Sequence, residues 1–154
     1  MKAFVPILQF VLISFIVGYV SMLLQRESMM VWYPTLDKSA LTPPGIVFSI
    51  VWSVLYLLMG ISAGLVWNTR TVYSWTLILV FIVQLALNML WSFCFFYMQS
   101  PVLGFVVLVV LFMVVVVYVA GSYTQHKWAA IMNIPYLLWL IFAGYLNLYV
   151  VINN

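Results

Sequence analysis

Five apolar runs, each about 20 residues or longer, occupy most of this chain: about 4–24, 46–67, 75–98, 102–124 and 129–152. At 1.5 Å rise per residue, a helix of that length crosses a hydrocarbon layer of roughly 30 Å. Charge is correspondingly scarce. Only 5% of the 154 residues are charged, against roughly 25% in soluble domains. So few charges cannot solvate a globule of this size, and the solvent must be lipid. The expected fold is all-α: one domain, residues 1–154, forming an integral membrane bundle of five transmembrane helices with a long loop between helices 1 and 2. The fourth run is rich in valine, which favours strands in water. In lipid a lone strand leaves its backbone unsatisfied, so a helix is expected there too. It reads as a plain lipid-facing wall. The first run follows Lys2 as the core of a signal peptide would. Its length, and the lack of a small-x-small site followed by a soluble domain, favour a retained helix.

The connections are short except for one. Residues 25–43 hold Arg26, Glu27, Asp37, Lys38 and the sequence Trp32-Tyr33-Pro34. A loop of that length inside a compact bundle is commonly a lid or binding loop. It ends in Leu41-Thr42-Pro43-Pro44-Gly45, which predicts a sharp helix start. Thr42 is the candidate N-cap, and the prolines stand at the first helical positions, where a missing N–H costs nothing. Lys2, Arg70 and Lys127 fall on the N-terminal side, and Arg26 and Lys38 on the other. The positive-inside rule therefore places the N-terminus inside.

Several function classes drop out. The basic residues are scattered singly and form no stripe to track a phosphate backbone, so nucleic acid is not an expected partner. Cys94 is the single cysteine, and no Cys/His/carboxylate grouping suggests a metal. No carboxylate, Lys or Arg lies within the spans to couple ions or protons. His126, the single histidine, sits in a short connection beside Lys127, reads as a solvated loop residue, and leaves no Ser-His-Asp arrangement.

The aromatic share is high, at 18%. On the third helix Gln84, Asn88 and Ser92 recur at i, i+4 and i+8, joined by Trp91 and Phe95. Such a stripe serves either as glue between helices or as a cavity wall. On the second helix Ser49, Trp52, Tyr56, Gly60, Ala63 and Trp67 lie near one face. Gly60-x-x-x-Gly64 permits close approach of a helix, from this chain or a second copy. On the fifth, Tyr136, Trp139, Ala143 and Asn147 share a face, and Pro135 is placed to bend the helix near its start. Large rings opposite a small Ala suit a slot for a flat ligand as well as ordinary core packing. Asn147 reads as an interhelical tie.

Trp32-Tyr33-Pro34, Leu41-Thr42-Pro43-Pro44-Gly45 and Val51-Trp52 with the aliphatic run to Gly60 resemble the signature of the TspO/MBR family. Leu87-Asn88 with Trp91-Ser92 and Phe95-Phe96 is similar to its third-helix motif. Ile134-Pro135-Tyr136 with Trp139, Phe142-Ala143 and Leu146-Asn147 is similar to its fifth-helix motif. The resemblance covers nearly the whole chain. It implies a five-helix bundle in a bacterial cell membrane, often a homodimer, with a pocket capped by the first loop. It implies ligands such as protoporphyrin IX, haem-like tetrapyrroles, benzodiazepine-site compounds and, in some members, sterols, with no obligatory cofactor. The positions matching the family pocket are Tyr33, Pro43, Trp52, Tyr56, Asn88, Trp91, Trp139, Ala143 and Leu146. Tryptophans matching Trp52 and Trp139 are linked in some members to light-dependent porphyrin breakdown, which makes these two the candidate catalytic residues. The family's sterol motif needs Lys or Arg soon after a Tyr, and neither Tyr145 nor Tyr149 has one. The third helix also lacks an obvious small-residue patch for dimerisation.

Three functions follow as expectations: a tetrapyrrole-binding protein in porphyrin transport, regulation or stress response; a light- and oxygen-dependent porphyrin-degrading enzyme; and a stress-signalling interaction protein.

Overall fold

The computed structural model describes residues 3–154, and every span expected from hydropathy is a helix within it. Helix α1 covers Phe4–Met30, α2 Gly45–Thr69, α3 Val72–Ser92 and α4 Pro101–Gln125. The last span is split into α5, Lys127–Ile131, and α6, Ile134–Asn153. α1 packs on α2 and α3, α4 packs on α3 and α6, and α5 touches α2. The N-terminal side carries Arg70 and Lys127, and the lid side carries Arg26 and Lys38. Lys2 lies outside the described residues.

The helix ends depart from the hydropathy boundaries for identifiable reasons. α1 continues six residues past Leu24, so the lid is residues 31–44 rather than 25–43. Polarity ends the membrane span but not the helical hydrogen bonding, which runs on to Val31 N–H and Trp32 N–H on the carbonyls of Glu27 and Ser28. The Ser28 hydroxyl also donates to the Phe96 carbonyl, tying this last turn to the bundle. Thr42 does not cap α2. The cap position is Pro44, with no side-chain hydrogen bond, and both prolines precede the helix. Pro44 is extended (ψ 149°) and its carbonyl takes the first amides, while Thr42 closes a small turn on Ser39. A side-chain cap does form at α3, where Thr71 accepts from Ser74 N–H at 3.1 Å.

The break between α5 and α6 has a backbone cause. Pro135 has no N–H to give Ile131, four residues back, and its ring would press on that carbonyl. Asn133 fills the gap. Its amide donates to Ser62 Oγ at 2.8 Å and Ala129 O at 2.9 Å, and Ser62 also meets Tyr118 Oη at 3.0 Å. This buried knot joins α2, α4 and the broken helix. His126 is half-buried rather than solvated: its carbonyl receives the Ala129 and Ala130 amides at the head of α5.

Two further features position the site. Gly60 and Gly64 let α1 approach until a Cβ on either would strike the backbone of Val11 or Ile7. The close partner is thus a helix of the same chain. Past Ser92 the third span widens into a π-helical turn, Phe93–Tyr97, before a left-handed Gln99 (φ 51°) reverses the chain. The fourth helix is not a plain wall. Gly104, Leu108, Leu111, Val115, Tyr118 and Ser122 form a buried stripe, and a Cβ at Gly104 would sit 2.9 Å from Phe95. The valines supply its lipid face, which is why composition alone suggested a wall.

Candidate ligand-binding site

Below the lid, α1, α2 and α3 separate around a cavity of about 320 Å³, at the lower end of the range for small-molecule sites. Its inner wall is a ladder of rings spaced a helical turn apart on α2 and α3. Trp52 stacks on Tyr56 with centroids 5.5 Å apart and planes at 30°, and on Trp91 at 6.4 Å and 28°. Trp91 stacks in turn on Phe95 at 5.8 Å and 26°. Tyr136 presents its edge to Trp52 at 6.1 Å. Near-parallel rings facing an open volume are what a flat, apolar ligand needs as a stacking surface.

One amide organises the floor. Asn88 is 1% exposed. Its Oδ1 accepts from Tyr56 Oη at 2.8 Å, and its Nδ2 donates to Tyr136 Oη at 3.0 Å. Three helices are thereby linked at one level. Substituting Asn88 with leucine strands two buried phenols, and each unsatisfied group costs about 1–3 kcal/mol. A clearly lower melting temperature in detergent is expected, with Tyr56→Phe/Tyr136→Phe on the Asn88→Leu background recovering part of it.

A smaller cavity of about 40 Å³ lies beside the first, reaching Ala143, Leu146 and Asn147 of α6. Tyr33, Phe48, Trp91 and Phe96 line both and form the partition. Asn147 is the tie expected of it, accepting from Trp91 Nε1 at 3.2 Å and donating to Pro101 O at 2.8 Å.

The expected site residues therefore divide. Tyr33, Trp52, Tyr56, Asn88 and Trp91 line the larger cavity, and Ala143 and Leu146 line the smaller. Pro43 lines neither; its neighbour Thr42 does. Trp139 also lines neither and stands behind Phe48, edge-on at 5.5 Å, with its indole N–H buried and unpartnered. Gln84 is fully buried below Asn88, and neither of its side-chain polar atoms meets a partner. Sequence reasoning missed Phe48, Phe96 and the α1 wall of Phe15, Gly18 and Met22. Phe48 precedes Trp52 by four residues and Phe96 follows Ser92 by four. Extending each stripe by one turn would have found them.

Tyr33, in a 3₁₀ turn of the lid, packs on Phe96 at 5.7 Å. The Lys38 ammonium lies 5.0 Å from its ring centroid and donates to its carbonyl at 2.8 Å. Desolvation raises the phenol above its usual 10.0. A raised acid pKa favours the folded, neutral form below the unfolded value, and that advantage is lost as pH rises beyond it. Lid closure, followed by Tyr33 fluorescence in a Trp-depleted variant, is expected to be flat through neutral pH and to weaken only in alkali above 10.0.

Five spanning helices around an aromatic, amide-floored intramembrane cavity define an integral membrane protein built to enclose a flat apolar molecule. The sequence profile of the TspO/MBR family matches residues 10–152, and the chain belongs to that family. It is 32% identical over 138 residues to the tryptophan-rich protein TspO of Archaeoglobus fulgidus, covering 90% of each chain. It is 37% identical over 120 residues to the Chlorobaculum tepidum protein of the same name, covering 75% of each. It is 30% identical over 149 residues to the translocator protein of Bos taurus, covering 93% of this chain and 86% of that one.

Proposed function

We propose that this protein binds a tetrapyrrole such as protoporphyrin IX in the aromatic cavity beneath the lid, in porphyrin transport, regulation or stress response. The observation that carries this is the Tyr56–Trp52–Trp91–Phe95 ladder beside an open volume, with hydrogen-bonding groups confined to its floor and lid. A macrocycle fills the larger cavity and presses on the Phe48–Phe96 partition. The family resemblance supports the choice of ligand class. In a bacterial cell membrane the positive-inside rule favours Arg70 and Lys127 on the cytoplasmic side and the lid outside.

The test is a titration of protoporphyrin IX into the purified protein, followed by Trp quenching. Saturable one-site binding is expected, and its absence in the parent protein sinks the proposal. A photo-oxidative enzyme would need Trp52 and Trp139 against one ligand. Trp139 stands behind Phe48, so the geometry favours binding over that chemistry.

A further inference from the structure

We infer that the ligand reaches this cavity sideways from the bilayer, between α1 and α2, and not from water through the lid. The inference rests on the binding reading above and concerns where the ligand comes from. α1 and α2 form a wedge. They are in backbone contact where Val11 meets Gly60 and Ile7 meets Gly64. The same antiparallel register would next pair Gly18 with Ser53 and Met22 with Ser49. Those four residues instead flank the cavity. The wedge has opened there, and the ring of Tyr56 lies against Gly18 at its apex.

The mouth faces lipid. Phe15, Tyr19 and Met22 on one side are 40%, 59% and 47% exposed, and Ser49 and Ser53 on the other are exposed. Both serine hydroxyls are spent on their own helix, donating to Gly45 O at 3.2 Å and Ser49 O at 2.8 Å. The rim is therefore apolar in effect, and an apolar plate can pass it edge-on without first entering water.

The lid, by contrast, is fastened. Asp37 and Asn154 exchange two hydrogen bonds, Asp37 N–H to Asn154 Oδ1 at 2.9 Å and Asn154 Nδ2 to Asp37 O at 3.1 Å. Ser39 Oγ meets Tyr145 Oη at 3.0 Å. Lys38 Nζ donates to the carbonyls of Tyr33, Leu36 and Pro34 at 2.8, 2.9 and 3.3 Å. Opening it breaks all of these together, whereas the side mouth needs only lipid to move. The site accordingly takes ligands that dissolve in membranes.

The test uses full-length protein in vesicles preloaded with protoporphyrin IX, with association and dissociation rates read from Trp quenching. An Asp37→Cys/Asn154→Cys variant is closed with a short, cleavable bifunctional thiol reagent, and closure is confirmed by loss of both thiols; Cys94 is buried and does not compete. Both rates are expected to stay within about twofold of the uncross-linked variant, while Ser53→Trp at the mouth slows both by about tenfold. Exchange that stops on cross-linking and returns on cleavage overturns the inference. So does a Ser53→Trp protein that exchanges at the parent rate. A parent that shows no saturable binding counts instead against the ligand reading.

Discussion

Gly60→Leu is expected to prevent assembly of the bundle, the largest effect of any single substitution here. A Cβ at this position strikes the Cα and N of Val11, which are backbone atoms that no rotamer change can move aside. α1 must shift outward, and with it go its packing at Gly64, the contact of Phe10 on Phe81 and the tie from Ser28 to Phe96. Overpacking alone costs about 1–3 kcal/mol, and loss of an interhelical seam adds to it. Thermal unfolding in detergent is expected to show no cooperative transition, or one lowered by more than any cavity mutant. Gly45→Ala provides the contrast. A Cβ there meets nothing within 4 Å, so its melting point is expected to match the parent's. A normally melting Gly60→Leu protein would show that the two helices do not touch at this point.

Trp52→Ala is expected to weaken protoporphyrin IX binding by roughly a hundredfold, about 3 kcal/mol. The indole is the central rung, stacked on Tyr56 and Trp91 and met edge-on by Tyr136. Its loss removes apolar contact area and lets the flanking rings tilt out of parallel. Trp52→Phe keeps a flat ring and is expected to lose only about tenfold. Trp139→Ala acts through Phe48 and is expected to fall below that. Equal losses at Trp52 and Trp139 in the quenching titration would mean that the ligand sits nearer α6 than the larger cavity does.

The five spans were legible because a bilayer imposes one length and one polarity on whatever crosses it. Their ends were not. Gln25 to Met30 continue α1 beyond the apolar limit, and hydropathy does not register a helix that leaves the membrane intact. Prolines mark boundaries, but their offset depends on geometry. Pro43 and Pro44 precede their helix, whereas Pro135 falls at the start of α6 and the break comes just before it. The polar members of the interior stood out for the opposite reason. Asn88, Asn147 and Ser92 contrast with their surroundings, and all are buried between helices. Phe48 and Phe96 carry no such contrast, because an apolar ring in an apolar helix suits lipid and cavity equally. Tyr118 on the fourth helix was hidden among valines, although Ser122 four residues on repeats its face.

The π turn at Phe93–Tyr97 bears on how this chain tolerates changes in length. Cys94, Phe95 and Phe96 are consecutive and all buried, a wider inward arc than the usual apolar stripe of an α-helix. A π turn takes up one more residue per hydrogen-bonded loop than an α turn does, so the segment stores slack. Deleting one residue there would tighten the turn without shortening the span, and would rotate everything after it. Phe96, now the partition between two cavities, would leave its place, and the two volumes would become one. Cavity size in this fold can thus be reset by a change in residue count at the end of the third span, with every residue type around the ligand left as it is.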